Sequence, residues 1–145
     1  MKSIILEEKV VTIIEEHGST DFPNECCGFL FGHDKGNKRM ITEAQPVINV
    51  KEGDQRRRFE IAPQDYIKAE MYALQNNIQL LGVYHSHPQH PAIPSEHDLN
   101  VALPFFSYII ISIMDGQPNH IRSWQLNDSG QFEEEDIHRN IFSLN

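Results

Sequence analysis

The sequence has almost nothing from which to build a disulfide scaffold. Of 145 residues only Cys26 and Cys27 are cysteine, and neighbours in the chain are poorly placed to bridge one another, which points to a reducing compartment. Positive charge is scarce as well. Twelve Lys and Arg stand against 21 Asp and Glu, a net charge of −9, which argues against nucleic acid or an anionic membrane as partner. Long apolar runs are missing too: Tyr108 to Met114 falls far short of a membrane span, and Met1 to Leu6 lacks the apolar core of a signal peptide. No repeat, low-complexity tract or linker divides the chain. The expectation is one cytoplasmic domain over residues 1–145, long enough to bury about 68–70% of its unfolded surface.

What the chain does have is segments alternating between two periods. Leu6, Val10, Ile13, Ile14 and His17 recur at helical spacing, with Gly18 where a helix C-terminus often places its left-handed residue. Glu25 to Gly32 (ECCGFLFG) is short, apolar and glycine-flanked, as a buried strand would be. His33 to Lys38 reads as a turn, Arg39 to Val50 as a second extended segment, and Lys51 to Arg58 as a mobile charged loop before Phe59 to Ile61. Pro63 suits a first helical position, and Ile67, Met71, Leu74 and Ile78 predict a second helix running to about Asn76. Leu80 to His87 reads as the central strand, and a third helix opens at Ser95 and ends before Pro104. Strands follow over Ser107 to Met114, Ile121 to Leu126 and Gln131 to Ile137, with His138 to Asn145 as a loosely attached tail. The class is α/β (α+β), a mixed sheet flanked by helices.

Chemistry concentrates in Tyr84 to Asp98, YHSHPQHPAIPSEHD. In a strand alternate side chains share a face, so His85 and His87 project together, their Cα atoms roughly 6–7 Å apart. Pro88, Pro91 and Pro94 then end the strand and force a loop that can return a third ligand. By itself a His-x-His pair more often serves packing, and Ser95 with Asp98 three residues on is a helix-capping box worth about 1 kcal/mol. Together, two imidazoles and a carboxylate make a three-ligand set that leaves a fourth tetrahedral position open, the pattern of a catalytic rather than structural zinc. Such a site needs a base outside the ligand set. Glu25 is the candidate, against the plainer reading of an exposed strand-end carboxylate.

With these residues in view, the sequence resembles the JAMM (MPN+) metalloprotease family. The motif of a distant Glu, then His-x-His, seven residues, Ser, two residues and Asp is met by Glu25, His85, His87, Ser95 and Asp98. PNECCGFLFG, RRFEIAP, GVYHSHPQHPAIPSEHD and IRSWQL resemble its short bacterial branch, related to peptidases of ubiquitin-like sulfur carriers. The resemblance implies an MPN fold of cytidine-deaminase-like architecture. It also implies a single Zn2+ per chain held by His85, His87 and Asp98, proton transfer by Glu25, and oxyanion stabilisation by Ser95. The implied reaction is hydrolysis after the C-terminal glycine of a ubiquitin-like sulfur-carrier protein or its adduct. The glycine tail is expected along strand edges near Tyr84 and the loop from His90 to Pro94. Asp98, on this reading, cannot freely serve both metal and helix end.

Alternatives remain at this point. An inactive MPN scaffold typically loses ligands that are all present here, and a peptidase acting on another peptide or isopeptide is also compatible. A zinc deaminase would need HxE and PCxxC patterns that are missing. Arg56, Arg57 and Arg58 read most simply as a solvated charge run, or else as a contact for an acidic carrier surface. Cys26 and Cys27 read as small core residues rather than nucleophiles, and His90 and His97 as off-spacing decoys.

Overall fold

A computed structural model describes residues 2–140, over which seven strands and three helices follow one another. The elements are β1 (Ser3–Glu7), α1 (Glu8–Asp21), β2 (Cys27–Asp34), β3 (Lys38–Val47), α2 (Pro63–Gln75), β4 (Gln79–Pro88), α3 (Glu96–Val101), β5 (Ser107–Met114), β6 (Gln117–Leu126) and β7 (Phe132–Asn140). The strand order is β1-β3-β2-β4-β5-β6-β7, and β7 pairs in parallel with β1 to close a barrel. The mixed α/β class stands, β4 and β5 being parallel and β2 and β4 antiparallel. Closure was not legible in the segments: it uses β1, which helical spacing had obscured, and β7, which continues to Asn140. Residues 138–140 of the expected tail are therefore strand, and 141–145 lie outside the described residues.

Two apolar clusters lie on opposite faces of the β2/β4 region. One joins Val10, Val11 and Ile14 of α1 to Leu30, Leu81, Tyr84, Ile109, Ile111 and Ile113. The other joins Ala69 and Ala73 of α2 to Phe29, Phe31, Val83 and Tyr108. Gly18 is not a helix terminus. It lies buried within α1, and a β-carbon there would meet Ile113 Cδ1 at 2.7 Å, so the glycine lets the helix approach β5. On α2 the expected face is inverted: Ile67, Met71 and Leu74 are exposed, Leu74 by 82%. Small Ala69 and Ala73 face the sheet instead and leave room for Phe29 and Phe31, whose rings meet Tyr66 and Tyr72 edge-on.

One irregularity decides where the histidines point. Phe31 pairs with Leu80 and Leu30 with Gly82, so Leu81 is the extra residue of a β-bulge. Across it the alternation changes parity: Leu80 and Val83 belong to the α2-side cluster, Leu81 and Tyr84 to the α1-side cluster. A bulge of this kind re-aims every side chain beyond it. His85 and His87 consequently share the face of Val83. Tyr84 turns the other way, fully buried, its hydroxyl 2.7 Å from His17 Nδ1. Its ring belongs to the core, so any groove near this residue meets its backbone rather than its side chain.

Tyr84 also fixes its partner across the ladder. A β-carbon on Gly28 would lie 2.2 Å from Tyr84 Cε2 and 2.5 Å from the Gln45 carbonyl oxygen, and the latter is backbone that cannot swing aside. Gly28→Ala is expected to destabilise the protein by about 1–3 kcal/mol through overpacking. An unchanged denaturant midpoint would count against this packing.

Candidate metal centre and active-site cleft

The C-terminal half of β4 carries His85 and His87, and Pro88 and Pro91 turn the chain out of the strand. The loop returns it at Ser95, which opens α3. Ser95 Oγ accepts from the Asp98 amide at 3.0 Å, and Asp98 Oδ2 accepts from the Ser95 amide at 2.9 Å, so both halves of the capping box are formed. The same Asp98 oxygen lies 3.3 Å from His85 Nε2 and 3.2 Å from His87 Nε2. One oxygen of Asp98 thus closes the cap and faces both histidines.

The three residues are buried, and their ligating atoms fall within 4.8 Å of one another. Their proton inventory shows what they suit. His87 Nδ1 lies 2.9 Å from the Pro91 carbonyl oxygen. That oxygen only accepts, so Nδ1 carries a proton and Nε2 can give its lone pair to a cation held between it and Asp98. Fixing a ligating imidazole through its other nitrogen is the usual arrangement around a metal. His85 is fully enclosed, and burial pushes its pKa down, which favours the neutral ring. Its Nδ1 has no partner, and its ring stacks on Phe59 at 4.6 Å between centroids. Burial works against charge on Asp98, but a proton on either neighbouring histidine, together with the Ser95 amide, outweighs it and holds the carboxyl far below the ordinary range, so any proton in this group rests on nitrogen and is displaced when a cation binds. The two Nε2 atoms stand 3.2 Å apart. Two neutral imidazoles and a carboxylate aimed at one point form a set of electron-pair donors that fits a divalent cation, and the donor types suit zinc.

A cleft of about 430 Å³ opens onto this group, lined by Glu25, Arg56, Arg57, His87, His90, Pro91, Ile93 and Ser95. Glu25 is not an exposed strand-end residue. It is 5% exposed, its amide donates to the Gln55 carbonyl at 2.7 Å, and burial with repulsion from Asp98 pushes its pKa up to about 9, opposed by Arg58. Burial pushes Cys26 up to about 12 and Cys27 further, so neither offers a thiolate, in keeping with their reading as core residues. His90 lines the cleft and His97 Nδ1 lies 2.8 Å from Arg58 Nη1, so neither joins the ligating group.

Three features escaped the sequence. The Pro91 carbonyl partner leaves no signature in residue identity. Phe59 had no pattern to tie it to His85. Arg56 and Arg57 line the cleft, which charge alone does not disclose because it carries no direction.

A donor set of this kind at the floor of a cleft, beside a buried acid, suits metal-assisted hydrolysis. Residues 7–127 match the family described as prokaryotic homologs of the JAB domain, and the chain belongs to that family. It is 29% identical over 110 residues to a desampylase from Pyrococcus furiosus, covering 76% of this chain and 72% of that protein. It is 26% identical over 132 residues to the CysO-cysteine peptidase of Mycobacterium tuberculosis, covering 90% and 88%. Among solved structures, protein DSY2949 from Desulfitobacterium hafniense superposes with a TM-score of 0.83 at 31% identity, covering 95% of this chain and 93% of that one.

Proposed function

We propose that this protein is a zinc-dependent peptidase that hydrolyses the bond after the C-terminal glycine of a ubiquitin-like sulfur-carrier protein or its adduct. The observation that carries the reading is the convergence of His85 Nε2, His87 Nε2 and Asp98 at the floor of a cleft that His87 lines together with Glu25 and Ser95. His85, His87 and Asp98 would hold the ion. Zinc bound there supplies a Lewis acid that makes attack of water on an amide accessible near neutral pH.

The chain's own residues supply the rest. Beside a divalent cation, whose charge favours the ionised carboxylate, Glu25 would accept the proton of the attacking water and pass it to the departing amine. A buried carboxyl suits this double duty, because it holds a proton more tightly than an exposed one. Ser95 Oγ spends a lone pair on the Asp98 amide. Its hydroxyl proton therefore remains free to donate to the carbonyl oxygen as negative charge develops there. His87, tied to the Pro91 carbonyl, keeps its orientation while substrate enters.

The substrate class rests on the two named relatives and on the shape of the cleft. With the barrel closed, β4 is flanked on both sides by β2 and β5. An incoming glycine tail consequently lies against the loop from His90 to Ile93 and across the residues before Phe59, rather than along a free edge of β4. Glycine suits this approach because any side chain would widen the spacing between tail and wall. Incubating the zinc-loaded protein with carriers extended beyond their terminal glycines, and weighing the products by mass spectrometry, tests the reading. Products ending at glycine are expected; no cleavage of any carrier would overturn it.

A further inference from the structure

The arginines that line the cleft are held there. Glu25 and the segment before Arg56 are joined by the Glu25 amide to Gln55 carbonyl bond at 2.7 Å. Gln55 Nε2 donates to the carbonyls of Asn49 and Lys51, and Asn49 Nδ2 donates to that of Arg58. Phe59 closes the segment by stacking on His85. The loop expected to be mobile is thus tied at both ends, to Glu25 just before β2 and to His85.

Within that frame the three guanidinium groups are not equivalent. Arg58 is occupied, its Nη1 2.8 Å from His97 Nδ1 and its charge acting on Glu25. Arg56 reaches the cleft while its Nε donates to Asp54 Oδ1 at 3.2 Å, an exposed pair that a stronger acceptor can compete with. Arg57 also lines the cleft and has no hydrogen bond or ion pair among the described residues. On a chain of net charge −9, an unengaged guanidinium beside the reacting groups calls for an anion from the substrate.

The direction of the scissile bond says which anion. With Ser95 donating to the carbonyl oxygen and Glu25 returning the proton to the departing nitrogen, as proposed above, whatever follows the glycine would lie on the wall that Glu25 shares with Arg56 and Arg57. If a single amino acid follows, its α-carboxylate sits two bonds beyond the departing nitrogen. A planar guanidinium fork matches a carboxylate with two parallel hydrogen bonds. We propose that Arg56 and Arg57 form a carboxylate-binding subsite for the leaving group. The protein then favours carriers whose glycine tail ends in one amino acid with a free α-carboxylate. The inference rests on the peptidase reading above and names the leaving group it takes. The cleft, about 430 Å³, is on the scale of a small ligand rather than of a protein surface.

Two carriers test it, one extended beyond glycine by a single alanine with a free carboxylate and one by alanine amide. The wild-type protein is expected to cleave the acid faster, by roughly ten- to hundredfold in kcat/KM, the usual worth of a hydrogen bond to a charged partner. Arg57→Ala, alone or with Arg56→Ala, is expected to bring that ratio toward one, and Arg57→Lys to restore part of it. A second readout needs no turnover: acetyl-Gly-Gly-Ala should bind zinc-loaded Glu25→Gln protein more tightly than its amide does, by calorimetric titration. Equal cleavage of acid and amide by wild type overturns the subsite. So does an equal loss on both substrates in Arg57→Ala, which would assign the arginines to the carrier's own surface. If wild type cleaves neither carrier, the peptidase reading fails and the subsite with it.

Discussion

Glu25→Gln is expected to lower hydrolysis by about 10²–10⁴-fold, the usual contribution of a positioned acid–base group, while the protein keeps stoichiometric zinc. The substitution is nearly isosteric. Glu25 is 5% exposed and sits where burial and Asp98 both disfavour its charge, so a neutral amide fits the same space without a new desolvation cost. The backbone bonds that hold the residue, from its amide to Gln55 and from Asn49 Nδ2 to its carbonyl, do not depend on the side chain. The ligating group should therefore keep its geometry. What the amide cannot do is accept a proton from water and return it to the departing amine. Metal content by plasma mass spectrometry and turnover of a carrier substrate check the two halves separately. Turnover close to wild type would remove Glu25 from the reaction, and loss of zinc would make it part of the ion's coordination.

How far such a site can be read before any coordinates exist differs from residue to residue. The pairing of His85 with His87 follows from strand period alone, and the return of Asp98 follows from prolines that stop the strand and a serine that starts a helix. Which face the pair occupies does not follow, because Leu81 is the extra residue of a bulge and nothing about leucine marks it. The position of Glu25 needs the antiparallel pairing of β2 with β4, which sets Cys27 opposite His85 and brings the entrance of β2 to the cleft. Local pattern carries little information about pairing between strands 60 residues apart.

The second helix shows the opposite failure. Ile67, Met71 and Leu74 have the right period for a buried face, but the sheet offers Phe29 and Phe31, and only the small face made by Ala69 and Ala73 fits over those rings. Periodicity locates a helix and its apolar stripe. Whether that stripe meets the core depends on the volume of what it would meet. Loop residues 51–58 are misjudged for a related reason: their charges suggest solvent, whereas the side-chain amides of Asn49 and Gln55 tie the segment down through backbone carbonyls.

His87→Ala and Asp98→Ala are each expected to abolish both zinc binding and turnover, the largest losses this site allows. Removing His87 takes away the one donor whose lone pair is committed by its bond to Pro91. Removing Asp98 takes away the only anionic donor in the group. The two variants differ in one respect that makes them informative together. Asp98→Ala also breaks the carboxylate half of the capping box, so without metal it should be less stable than His87→Ala by about 1 kcal/mol. Ser95→Ala separates the roles, since it deletes the bond from the Asp98 amide to Ser95 Oγ but leaves every ligating atom in place. It should bind zinc, lose the cap's stabilisation and slow turnover through the missing oxyanion donor. Thermal unfolding with and without added zinc reads all three at once. Zinc at a hundred times its dissociation constant stabilises a binding protein by about 2.7 kcal/mol. Wild type and Ser95→Ala should show that upward shift in Tm, and His87→Ala and Asp98→Ala should show none. Stoichiometric zinc retained by either of the latter would mean that the ion, if bound, is held by other residues.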